Sequence, residues 1–185
     1  MSNFIDEFLK SKGPELTAQV SEKLGIDKEK VSGMLPNILP MILGGLKKEK
    51  DNKGGEERVD HILNKYGNKD DAENVGGVVE SVKHKDDTDP GLGGLLGNSG
   101  FKAADFLGEK FGISKDITSK IIPMVAPIVL GMLKKKRDDE GVGSSGIASI
   151  IDRDGDGSIL DDVGGFLSKG LGSSDLGKSL GGFLK

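Results

Sequence analysis

The sequence has no cysteine and no tryptophan, a single tyrosine and seven phenylalanines, so aromatics make up only 4% of the chain. Without cysteine there is no disulfide framework, no thiolate metal site and no thiol nucleophile. The two histidines, His61 and His84, do not stand at i, i+3 or i+4 from one another, so an imidazole zinc cluster or a histidine-based triad lacks parts. An excess of positive charge is missing too. Twenty-six Lys and Arg against 30 Asp and Glu leave a net charge of −4, which gives no general attraction to phosphate backbones. Nucleic acid is therefore not an expected partner. No apolar run approaches the roughly 20 residues of a membrane-spanning helix. The longest, Ile121 to Leu133, contains two prolines and reads as a buried core helix. The opening residues, MSNFIDEFLKSK, lack the basic start and the small-residue cleavage site of a secretory signal, so the expected location is cytoplasmic.

What is abundant is glycine, 30 of 185 residues, gathered in stretches such as GLGGLLG at 91–97 and VGGFLSKGLG at 163–172. The first of these is no dinucleotide fingerprint, since no apolar strand precedes it. With few aromatics and 35% hydrophobic residues, any core is built from Leu, Ile, Val and Met, and the expected fold is all-α.

The strongest feature is a self-match. A shift of 87 residues lays EKLGIDKEKVSGMLPNILPMILGGLKK, from Glu22, over EKFGISKDITSKIIPMVAPIVLGMLKK, from Glu109, with roughly half of the positions identical. Both prolines (Pro36 and Pro123, Pro40 and Pro127), the following glycine (Gly44 and Gly131) and the terminal lysine pair coincide. One inserted residue then gives a shift of 88, which lays VDHILNKYGNKDDAENVGG, from Val59, over IASIIDRDGDGSILDDVGG, from Ile147. The chain thus reads as a tandem duplication of a multi-helix unit of about 90 residues, with a first repeat over 1–90 and a second over 91–185.

Within each copy, Glu15 to Leu24 reads as an amphipathic helix stopped by Gly25, a residue that enters the left-handed conformation of a helix end without a Cβ clash. Asp27 and Ser114 are placed to cap the next helix, with Ile26 and Val31 as a hydrophobic staple. Pro36 and Pro40 lack N–H donors, so that apolar helix is expected to end or kink before Pro36 and a further helix to run on to the lysines near Lys47. Burial is expected for Leu35, Ile38, Ile42, Ile122, Val125 and Val129. Segments 49–58, 83–91 and 136–146, charged or rich in Gly and Ser without an apolar period, read as loops or linkers.

One segment carries chemistry. Asp152-Arg153-Asp154-Gly155-Asp156-Gly157-Ser158 sets carboxylates at alternate positions before a glycine, the first half of an EF-hand-type loop. Calcium takes six to eight hard oxygens, which such a loop offers from side chains at positions 1, 3 and 5 and a backbone carbonyl at 7, with glycine at 6 for the sharp turn. The expected ligands are Asp152, Asp154 and Asp156, the carbonyl of Ser158, and Asp161 or Asp162 closing the shell in place of the usual position-12 acid, which is Val163 here. In the first copy Asn64, Tyr66 and Asn68 stand in the places of the three aspartates and Lys69 replaces Gly157, so that loop reads as a degenerate, metal-free counterpart. The C-terminal stretch spaces Phe166, Leu167, Leu171, Leu176, Leu180, Phe183 and Leu184 at roughly helical intervals among glycines that weaken an isolated helix. It needs a partner surface, which its own core, another subunit or a membrane surface could each supply.

Leu24-Gly25-Ile26, Leu35-Pro36, Gly44-Gly45-Leu46 and the loop from Asp152 to Gly165 together resemble the YidB-like bacterial family of domains of unknown function. That resemblance implies an all-helical cytoplasmic protein with no established activity and no catalytic residue to transfer. The sequence therefore points to a non-enzymatic, calcium-binding interaction or assembly module that engages a protein partner or itself. The competing expectation is a peripheral membrane protein that uses its Gly/Leu-rich terminal segments.

Overall fold

In the computed structural model the described residues are 4–82 and 98–141, and they form eight α-helices. No strand occurs among them. Helix α1 (Phe4–Ser11) turns Phe4, Ile5 and Phe8 inward. Helix α2 (Gly13–Leu24) carries Pro14 in its first turn, where a missing N–H has no intrahelical partner to lose, and buries Leu16 and Val20. It stops at Gly25, as its sequence predicts: φ is 65°, and the Gly25 and Ile26 N–H groups both turn back to the Ser21 carbonyl.

Helix α3 (Lys28–Lys53) follows an extended Asp27 with φ −60° and ψ 137°. Eighty-seven residues further on the same local geometry recurs. Helix α7 (Asn98–Phe111) ends at Gly112 with φ 62°, the Ile113 N–H bonds to the Gly108 carbonyl, and Ser114 is extended at φ −63° and ψ 147° before helix α8 (Lys115–Glu140). Helices α3 and α8 are each 26 residues long. The expected side-chain caps are corrected here: Asp27 and Ser114 stand at the N-cap positions, but neither side chain bonds to the first turn. Ile26, half-buried, and Val31, fully buried, keep the staple positions.

The expected break at proline does not occur. Helix α3 is continuous through Pro36 and Pro40, and α8 through Pro123 and Pro127. Each interior proline removes one hydrogen bond and costs about 3 kcal/mol. Against this, Leu35, Ile38, Leu39, Ile42, Leu43 and Leu46 on α3, with Ile121, Met124, Val125, Ile128, Val129, Leu130 and Leu133 on α8, are at most 1% exposed. Full burial of one such side chain contributes about 1.5–3 kcal/mol, so tertiary packing overrides the local preference. The loop reading is likewise corrected for 49–53, 55–58 and 136–140, because α3 continues to Lys53, a further helix starts at Gly55 and α8 continues to Glu140; residues 142–146 lie outside the described residues. The Lys47–Asp51 and Glu49–Lys53 pairs brace the end of α3, and the link to α4 (Gly55–Tyr66) is Gly54, whose φ of 128° only glycine adopts readily.

After α4 come two short helices, α5 (Lys69–Glu73) and α6 (Val75–Ser81). Helix α4 packs on α3 and on α8, α5 lies on α8, α6 rests on α2 and α8, and α7 packs on α8 and touches α3. One hydrophobic core runs from Phe4 to Leu133, with α8 at its centre. By length and composition α8 could cross a membrane, yet 61% of its most apolar window is buried inside the fold. The fully buried Thr118 ties it to α7 by donating its hydroxyl to the Ala104 carbonyl at 2.8 Å.

Candidate functional site

The residues expected to hold calcium, Asp152, Asp154, Asp156, Ser158, Asp161 and Asp162, lie outside the described residues, as do the Gly/Leu-rich stretch from Phe166 and the segment 83–91. Their sequence counterpart, 64–77, is described in full. Asn64 and Tyr66 belong to the last turn of α4. Gly67 turns the chain, and Asn68 caps α5 by accepting the Asp70 N–H at 3.1 Å. Asn74 repeats the device for α6, accepting the Gly77 N–H at 3.1 Å. The two asparagine oxygens thus satisfy helix N-termini, whose first N–H groups have no partner of their own.

The loop is also a clamp. Gly67 is buried, and a Cβ there would stand 2.6 Å from the Leu130 carbonyl oxygen of α8. A Cβ on Gly131, one residue along α8, would collide with the Asn68 carbonyl. Backbone therefore meets backbone at both glycines.

Around this contact α8 offers cations to the acids of the loop. Lys135 donates to Glu73 at 2.6 Å, and Arg137 donates to Asn64 at 3.0 Å and to Asp60 at 2.6 Å. Lys69 reaches back to Asp138 at 3.2 Å. The hydrogen bond from Lys135 holds the Glu73 carboxyl below its usual range, and Lys135 is raised in return. Asp71 moves the other way, pushed up by partial burial and by its neighbour Asp70. Chemically, the arrangement joins two elements: its amide oxygens cap helices and its acids pair with cations. No group of three His, Asp or Glu residues stands together as a metal cage among the described residues. His61 is exposed on α4.

Sequence reasoning missed a polar contact at the other end of the fold. Asn37, 5% exposed between the two prolines of α3, donates to the Gly33 carbonyl at 2.8 Å and accepts from Lys110 of α7 at 3.3 Å. A lone amide in an otherwise apolar stretch was the available signal. The expectation that the chain lacks the Gly-Lys-Ser/Thr of a phosphate-binding loop is also corrected, since Gly172 to Ser179 fits that glycine, lysine and serine spacing. The residues before it, Ser168-Lys169-Gly170-Leu171, lack the apolar β-branched sequence of the strand that motif follows, and the run lies outside the described residues.

These features define a class: an all-α bundle arranged around two long, proline-containing helices, with a capped loop clamped to one of them. The chain belongs to the family described as bacterial protein of unknown function (DUF937), which matches residues 6–136. The Asp-rich loop lies beyond that matched stretch. Neither the curated proteins nor the solved structures supply a match.

Proposed function

We propose that the chain is a non-enzymatic helical assembly module, built from a duplicated unit, whose second Asp-rich loop binds one calcium ion. The observation that carries this reading is a contrast between counterparts. The loop at 64–77 does its packing with two asparagine caps and a buried glycine. Its counterpart keeps the glycine, as Gly155, and the Val-Gly-Gly ending, but has Asp152 and Asp156 where the first loop has Asn64 and Asn68, and adds Asp154 and Gly157, which answer to no packing contact of the first loop. Those additions supply hard oxygens at alternate positions and a turn glycine, which suits calcium. Asp152, Asp154 and Asp156 would give side-chain oxygens, Ser158 its carbonyl, and Asp161 or Asp162 the closing carboxylate.

Duplication is supported by the equal lengths of α3 and α8 and by the matching turns at Gly25 and Gly112. The assembly role rests on the apolar residues from Phe166 to Leu184, whose roughly helical spacing among helix-weakening glycines calls for a covering surface. The membrane alternative draws no support from the N-terminus, where Phe4, Ile5 and Phe8 of α1 are buried in the core and Leu9 packs against it. Titration calorimetry tests the calcium reading: one ion per chain is expected, with the heat lost in Asp152→Ala/Asp156→Ala. No heat with the unaltered protein, or undiminished heat in the double variant, overturns it.

A further inference from the structure

Helices α3 and α8 present matching surfaces, yet only one of them is covered among the described residues. On α8, Ile128 is fully buried and Gly131 is buried beneath the Asn68 backbone. On α3, the matching Met41 and Gly44 are only half-buried, and a Cβ on Gly44 would meet nothing within 4 Å among the described residues. We infer that residues 152–165 of the same chain dock on this α3 face, as residues 64–77 dock on α8. The inference rests on the duplicated-unit reading and not on calcium.

Three correspondences favour this occupant over any other. The first is steric. The contact between Gly67 and Leu130 translates to Gly155 and Leu43, and that between Asn68 and Gly131 to Asp156 and Gly44, so both glycines that permit backbone approach recur. The second is electrostatic. The Lys135–Glu73 ion pair translates to Lys48 and Asp161, and the Arg137–Asn64 hydrogen bond to Lys50 and Asp152, so cation again faces acid or oxygen acceptor. Lys48 is exposed, and neither lysine has an ion partner among the described residues. The third is apolar: Ala72 and Val75, both buried, translate to Leu160 and Val163, which would cover Met41 and its neighbours. Backbone docked at Gly44 would also give the loop a fixed seat.

The chain has no cysteine, so introduced thiols report without background. A Lys48→Cys/Asp161→Cys variant of the full chain is treated with a short bifunctional maleimide in the presence of a chelator, beside a Glu73→Cys/Lys135→Cys control. Both variants are expected to cross-link within one chain and to similar extents. Absence of a cross-link at 48/161 with the control linked overturns the inference. So does a cross-linked dimer, which assigns the α3 face to a second copy, and so does failure of the control, which removes the template. Because the metal is chelated, the outcome is separate from the calcium titration. Gly44→Ala adds an independent reading. An open face predicts a rise in the denaturation midpoint, since alanine is the better helix former. Docking predicts a fall, as at Gly131→Ala, and a rise in Gly44→Ala overturns the inference.

Discussion

Glu49 shows how far a single residue can depart from its appearance in the sequence, where it is one of a run of charges at the end of α3. It is 6% exposed and accepts from Lys53 at 2.8 Å and from Arg58 at 3.0 and 2.9 Å. Burial alone would raise its pKa, but the hydrogen bonds from Lys53 and Arg58 outweigh it and hold the carboxyl below the ordinary value of 4.5. A depressed carboxylate stabilises the fold above its unfolded pKa, and that contribution is lost as pH falls through the folded value. Glu49→Gln should therefore lower stability at neutral pH by about 1–3 kcal/mol and flatten the decline on acidification. Urea unfolding at several pH values checks both, and a neutral-pH midpoint equal to that of the parent protein contradicts the prediction. Gly25 was legible from the sequence because its requirement is local, a positive φ after a helix. Glu49 was not, because its burial depends on Arg58, which reaches it only across the Gly54 turn.

At the scale of elements, the position and burial of the long helices could be read from the spacing of their apolar residues. Leu35, Ile38, Ile42, Ile122, Val125 and Val129 are all buried, as expected. Their continuity could not be read, because a proline penalty is local whereas the packing that overrides it comes from elements far along the chain. Helix α1 was legible, since Phe4, Ile5, Phe8 and Leu9 recur at helical spacing and three of them are buried, whereas the charged end of α3 was not, because it lacks an apolar period and is braced by ion pairs. Continuity makes a prediction about Pro36, which is half-buried within an unbroken helix. Replacing it with alanine restores a helical hydrogen bond, a gain of about 3 kcal/mol, offset by about 1 kcal/mol from a more flexible unfolded chain and by some lost contact. Pro36→Ala should raise stability by about 1–2 kcal/mol. A fall in the denaturant midpoint would mean that the ring shapes the helix for packing.

On the scale of the whole molecule, the sequence repeat identified corresponding segments but not which copy's loop rests on which copy's helix. That pairing is set by shape at Gly67 and Gly131, which no alignment of the chain with itself contains. On the duplicated-unit reading the pairing crosses between copies, since α4, α5 and α6 all lean on α8. A fragment of residues 1–90 should accordingly retain helix but lose cooperative unfolding, and mixing it with 91–185 should restore a single transition. Circular dichroism with urea decides this; a sharp transition in the isolated fragment refutes it. The same crossing has a consequence during synthesis. Ile62, Leu63, Val75 and Val79 are complete in the nascent chain well before α8 is made, and at about 5–20 residues per second they wait for several seconds with their cover still inside the ribosome. Over that interval the newborn chain presents an adhesive aliphatic surface, open to off-pathway contacts until α8 emerges.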